Sequence, residues 1–278
     1  MGRSHVLSGW CAGAVAAHGI GLPPAGVVAF GVTAAGASAL NDLDHPSSSA
    51  TRVLGPVSWA LSRAVRGYAR LVYVTTRGPG DPRSRSAHRG ATHSLPLLAV
   101  PILVLLGLPE LAWGAVAGVA WIAGWPADTG RVWAGPVAVA CVVGFCLVLV
   151  ADRLGGRYLA VAGLAVVLYS GGTATINEPG QVTALAPWLA AAVGVGTVTH
   201  VLGDWVTESG LYALAPLYRR DRGTAREKRW VRIALPKSVA FRTGGWFERR
   251  VVFWLLLVPW AVLAVPGVWP VALAGVAR

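Results

Sequence analysis

Apolar residues fall into long runs along this chain, roughly 6–22, 24–40, 94–108, 111–125, 132–151, 157–173, 184–206 and 251–275. Ionisable residues gather at the ends of these runs. Several runs reach the roughly 20 residues that a helix needs to cross a bilayer, while 94–108 and 111–125 are marginal. Backbone polar groups in hydrocarbon must be satisfied within their own segment, so such runs predict helices. The expected fold is all-α: a polytopic helical membrane protein, read as one membrane-embedded domain over 1–278 with no repeat of fixed period. No run is followed by a small-residue cleavage site, so no removed signal peptide is expected.

One segment has a different pattern. Over 52–73, Val57, Leu61, Val65, Tyr68 and Val72 fall within about 40° of one line of a helix. Arg63, Arg66 and Arg70 lie on the opposite side. This predicts an interfacial amphipathic helix with its apolar face in the acyl boundary and its arginines toward phosphates. Thr76 to Ser86 is rich in Gly and Pro and reads as a flexible link.

Composition strengthens the membrane reading. Hydrophobic residues make up 55% of the chain and charged residues 13%, against about a quarter charged in soluble domains. The net charge of +12 is unevenly spread. Loops 46–92 and 207–250 hold most of the basic residues, which places both on the cytoplasmic side of the cell inner membrane. Anionic headgroups suffice as partners for this charge. No groove-reading motif accompanies it, and no nucleic acid is expected. Loops on one side require an even number of spans between them. Five apolar runs intervene, so one is re-entrant or two merge. Cys11, Cys141 and Cys146 lie within apolar runs without metal spacing and read as small hydrophobes.

The polar clusters carry the chemistry. His5 opens the first run, and Asp42, Asp44 and His45 close the second. His88 and His93 open the third, and His200 and Asp204 share a helix face at i and i+4 near the end of a later one. On the predicted topology all four meet at the cytoplasmic face. Imidazoles with carboxylates are the ligand set of zinc and related metals. His18 falls on the opposite side. Asp42 reads as a ligand or as the group orienting a histidine. Arg242, ahead of Gly244-Gly245, suits a bidentate phosphate contact, and Glu248 suits a ligand or general base.

These motifs resemble the YdjM/YbcI-type membrane-bound metal-dependent hydrolases. The residues that carry the resemblance are His5, Asp42-Leu43-Asp44-His45-Pro46, His88-Arg89-Gly90-Ala91-Thr92-His93-Ser94 and His200-Val201-Leu202-Gly203-Asp204. Thr207-Glu208-Ser209-Gly210, Pro216 and Thr243-Gly244-x-x-x-Glu248 follow the same pattern. It covers about 1–109 and 184–250. Asn41 stands where the family often has Pro, and 110–180 looks like a helical insertion. The resemblance implies a hydrolase reaction class and leaves the substrate open.

Together these readings predict a metal-dependent hydrolase at the cytoplasmic membrane surface. His5, Asp44, His93, His200 and Asp204 would hold one or two divalent ions, zinc first and manganese second, with His45 and His88 as further ligands. Asp42, Arg89, Arg242 and Glu248 would serve the reaction. Arginines near the site favour a phosphoester, lipid-linked or nucleotide. A non-catalytic structural or regulatory metal protein and a metal or proton transporter are the rival classes. The transporter would need polar residues near mid-bilayer, where this chain has few. Reporter fusions at Gly78 and Gly223 should both read cytoplasmic, and an external signal from either would break the shared-face geometry.

Overall fold

The computed structural model describes residues 2–22, 24–48, 50–83, 89–97, 122–124, 126, 142–153 and 186–256. His88, Cys141, most of the runs between 94 and 173, and the end of the last run lie outside the described residues. The span parity and the candidate insertion therefore go largely undescribed. Four long helices are described: α1 (Gly2–Gly19), α2 (Pro24–Leu40), α3 (Pro56–Thr76) and α4 (Ala186–Trp205). The 3-10 turn Asn41–Asp44 continues α2 directly. Among the described residues there is no strand, only isolated bridges within 207–241, so the described fold is all-α.

Helices α1, α2 and α4 pack against one another, and this three-helix core positions everything that follows. Small residues permit the close approach. A side chain at Gly196 of α4 would collide with the Ala34 carbonyl of α2, and one at Gly9 of α1 would meet the same carbonyl and Ser38. The apolar contents of the core include Val6, Trp10, Val32, Leu43 and Leu189. The helical segment 142–153 joins it through Leu147, Leu149 and Val150, with Cys146 filling the space above Gly36. Among the described residues one helix, Gly26–Asp44, is long and apolar enough to cross a membrane, and 72% of it is buried inside the protein.

Helix α3 has three faces. Proline at its first position suits a helix start, where no N–H is needed. Ser58, Ser62, Ala69 and Tyr73 are buried against the rest of the chain. Ser62 Oγ donates to the Leu43 carbonyl at 2.6 Å, which ties α3 to the 3-10 turn below α2. Val57, Leu61 and Leu71 are exposed on a second face, whereas Val65, Tyr68 and Val72 sit half-buried at its edge. Arg63 and Arg70 are exposed on the third, with Arg63 over the Trp59 ring at 4.9 Å. The helix therefore packs on the protein along a serine and alanine stripe and keeps much of its apolar face uncovered.

The Gly/Pro-rich link does not behave as its composition suggests over its described part, 76–83. Asp81 is buried, and its carboxylate accepts backbone N–H groups of Gly78, Arg229 and Trp230 at 2.8–3.4 Å. Gly80 N–H donates to the Glu227 carbonyl at 2.8 Å. Glycine is needed at Gly78 and Gly80 because the two backbones lie too close for a Cβ. Trp230, buried against Tyr73, Ala91 and Ala215, completes the joint between the two basic loops. A loop composition thus encodes a packed clasp. Asp81→Ala should destabilise the protein by on the order of 3 kcal/mol, since several N–H groups lose a charged acceptor. Thermal unfolding in detergent and protease cleavage at 77–83 check it, and unchanged values in both would restore the flexible link.

Candidate metal centre

Four stretches that are distant in sequence bring their polar ends together below the three-helix core. α1 carries His5 in its first turns, held where Ser38 Oγ of α2 donates to the His5 carbonyl at 2.7 Å. The 3-10 turn carries Asp42 and Asp44. It is pinned to α4 by Asn41, whose Nδ2 donates to the Thr197 carbonyl at 3.3 Å. The loop 89–94 carries His93 in a short 3-10 turn. α4 contributes His200 and Asp204 from one face. His5, Asp44, His93, His200 and Asp204 are all buried. Gly203 has a specific part in this. A Cβ there would stand 3.0 Å from Cε1 and Nδ1 of His5, so glycine makes room for the ring beside α4.

Asp204 is the hub. Its Oδ1 lies 3.4 Å from His5 Nε2 and 3.2 Å from Arg89 Nη2. Its Oδ2 lies 3.1 Å from Arg89 Nε, 3.3 Å from His93 Nε2 and 3.7 Å from His200 Nε2. His93 and His200 face each other through their Nε2 atoms at 3.0 Å, and the His5 ring stacks on His200 at 4.0 Å between centroids. Asp42 Oδ1 lies 3.9 Å from His200 Nε2. Two overlapping groups result, His5–His200–Asp204 and Asp42–His93–His200, each with its donor atoms within 4.8 Å of one another.

The donor set fits a metal. Ligands roughly 2.0–2.1 Å from a zinc ion at tetrahedral angles stand about 3.3 Å apart. The triangle of His93 Nε2, His200 Nε2 and Asp204 Oδ2 has edges of 3.0, 3.3 and 3.7 Å, which bracket that value. Burial would depress the His93 pKa, but the hydrogen bond to Asp204 and the charges of Asp44, Asp204 and Asp42 together raise it above the ordinary histidine range.

Neighbouring groups hold the ligand atoms in place. Asp44 Oδ2 accepts the Thr92 hydroxyl at 2.5 Å and the Arg89 N–H at 3.1 Å, and lies 3.7 Å from His93 Nδ1. Asp44 thus lies on the far side of the His93 ring from Nε2. Arg89 adopts a left-handed φ of 58°, a strained conformation that costs about 1–2 kcal/mol in a non-glycine residue. The 89–94 loop is braced from outside by 207–216: Ser94 Oγ bonds the Ala215 carbonyl, and Leu95 N–H reaches Ala213 O at 2.8 Å.

Other residues expected from the sequence stand differently. Arg89 commits its guanidinium fork to Asp204. His45 Nδ1 engages Ser47, at 2.9 Å from its hydroxyl, and stands outside both groups. Glu248 is buried but outside them too, accepting from Ser4 Oγ at 2.9 Å and from Gly244 N–H at 2.7 Å. Burial pushes its pKa up, but the Gly244 and Ser4 bonds are among the effects that hold it below the usual carboxylate range. Arg242 is exposed, its carbonyl bonded to Gly245 N–H. His18 is exposed at the opposite end of α1. Sequence reasoning missed Arg153, whose Nη2 lies 3.6 Å from Asp42 Oδ2. Its signal was the Asp152-Arg153 pair at the end of an apolar run.

Against known proteins, a family model described as YdjM inner membrane protein matches residues 1–272, and so runs through 110–180. No curated protein and no solved structure matches.

His93→Ala, His200→Ala and Asp204→Asn should each cut the divalent metal content of the purified protein by tenfold or more. Gly203→Ala should lower it less, by crowding His5, and His18→Ala should leave it unchanged. Elemental analysis after gentle purification checks the series. Equal metal content across it would dismiss the centre.

Proposed function

The chain belongs to the YdjM inner membrane protein family, and from that premise we propose that it is a multi-pass protein of the cytoplasmic membrane that hydrolyses a phosphoester with the help of a divalent ion. The observation that carries this reading is the convergence of His5, Asp42, His93, His200 and Asp204 from separate segments within ligand distance. His93, His200 and Asp204 are the principal candidates to hold the ion, with His5 able to complete the coordination set and Asp42 beside it. His45 and His88 are further candidates. Zinc is the first choice and manganese the second, since mixed imidazole and carboxylate ligation suits both.

The chemistry that such an ion supplies when bound is polarisation of the scissile bond and activation of water. The chain's own groups divide the remaining work. Arg89 fixes both oxygens of Asp204 through Nε and Nη2. Thr92 and Asp44 orient His93. Asp42 differs from the other acids of the set because its side chain is 20% exposed while Asp44 and Asp204 are sealed. It is the carboxylate able to take a proton from a water entering the site. Glu248 and Arg242 stay as candidates at the margin, on the turn that holds Ser4, the residue before His5.

The uncovered apolar face of α3, flanked by Arg63 and Arg70, suits a helix lying in an anionic membrane surface. It would set the site at headgroup level, where lipid-linked phosphoesters present their polar ends.

Purified protein loaded with zinc or manganese and offered a panel of lipid phosphates and nucleotides should hydrolyse at least one. Asp42→Asn should reduce that rate by about 10²–10⁴ while retaining metal. Stoichiometric metal with no turnover of any phosphoester would favour a structural or regulatory metal protein.

A further inference from the structure

Beside the metal centre lies a cavity of about 640 Å³ lined by Arg3, Ser4, Arg153, Glu248, Arg249, Arg250 and their neighbours Phe253 and Trp254. Its charge is lopsided, with four arginines against the two carboxylates Asp152 and Glu248. Glu248 is already engaged by Ser4 and Gly244. The arginine nearest the centre is Arg153. Its Nε and Nη2 are buried without a hydrogen bond, Nη2 facing Asp42 at 3.6 Å, and the side chain is 18% exposed where it lines the cavity. A guanidinium with donors left over in a cavity wall attracts an anion.

Arg153 is also positioned by its surroundings. Its carbonyl accepts from Arg3 Nε at 3.1 Å, which brings a second guanidinium to the same wall. Gly2 lies so close to the guanidinium that any side chain there would displace it. Arg153 Nη2 stands 3.6 Å from Asp42 Oδ2, and Asp42 Oδ1 stands 3.9 Å from His200 Nε2. One carboxylate thus separates the cavity's arginine from the metal-binding imidazole. Phe253 and Trp254 supply the apolar part of the lining and open the final hydrophobic run, and Trp254 is 55% exposed.

We propose that this cavity binds the phosphate end of an amphiphilic phosphoester, with Arg153 and Arg3 gripping the phosphate oxygens and Phe253 and Trp254 flanking the apolar portion. Calling that ligand the substrate rests on the hydrolase reading; the binding itself does not. Guanidinium groups form paired hydrogen bonds with phosphate oxygens, which a point charge cannot reproduce.

Calorimetric titration of the full-length protein in phosphate-free detergent tests this, with hexyl phosphate and inorganic phosphate as probes. Wild type should bind hexyl phosphate at least about tenfold more tightly than inorganic phosphate. Arg153→Gln should weaken hexyl phosphate about tenfold with metal content unchanged, as expected for a lost charge-assisted pair. The exposed double variant Arg249→Gln/Arg250→Gln, which leaves the packed interior alone, should weaken it about threefold. Wild-type affinity in a folded Arg153→Gln protein would overturn the proposal. If that variant does not fold, unchanged affinity in the double variant would overturn it. Equal affinity for the two probes would overturn the amphiphilic part, leaving a site for free phosphate. Tight binding without turnover would sink the hydrolase reading and leave the cavity standing, whereas turnover with an indifferent Arg153→Gln would do the reverse.

Discussion

Asp204 is the residue on which the site depends. A buried carboxylate is tolerated only where charge and hydrogen bonds compensate its lost hydration. Here the compensation comes from three residues on two segments besides its own helix: His5 from α1, and Arg89 and His93 from the 89–94 loop. His200 adds to it from one turn earlier in α4. Each partner is in turn fixed by another element, His5 by Ser38 and Gly203, and His93 by Thr92 and Asp44. Removing the acid would leave a cluster of imidazoles and a guanidinium facing one another in a buried site. The three-helix packing, with Gly196 against Ala34, serves to bring α4 close enough for this arrangement.

Much of the centre was legible in the sequence, because ionisable residues at the ends of apolar runs have few reasons to be there. The i and i+4 spacing of His200 and Asp204 gave a shared face that the structure retains. Helical character followed from run length alone. What sequence could not supply was the identity of neighbours. Arg89 and Arg242 looked equivalent as phosphate binders, yet Arg89 is turned inward onto Asp204 and Arg242 stays at the surface. Arg153 sat in a stretch read as an insertion and emerged against Asp42. Asp81 lay in a composition typical of mobile links and proved to be the acceptor that joins the two basic loops. Local pattern cannot report which backbone a carboxylate will meet 148 residues away.

The periodicity of α3 specifies its lines of residues but not which of them packs inward. Its apolar line and its arginine line are both present, but the protein-facing stripe is made of Ser58, Ser62 and Ala69, residues with no hydrophobic signature. Small polar residues permit close packing when their hydroxyls find carbonyls, as Ser62 does at Leu43. That choice leaves the bulky apolar positions Val57, Leu61 and Leu71 uncovered for another medium. The same logic runs through the molecule. Small residues make the close helix contacts, arginines line the surface and the cavity, and the buried acids Asp44, Asp81, Asp204, Glu227 and Glu248 are each held by several donors.

The central claim, that His93, His200 and Asp204 share one ion, is most directly tested by X-ray absorption at the zinc edge on the purified, zinc-loaded protein. A shared zinc should show a first shell of nitrogen and oxygen at roughly 2.0–2.2 Å with outer-shell scattering from at least two imidazoles. That imidazole signal should diminish in His200→Ala. A shell containing sulfur, or a spectrum without imidazole that is unchanged by the substitution, would contradict it.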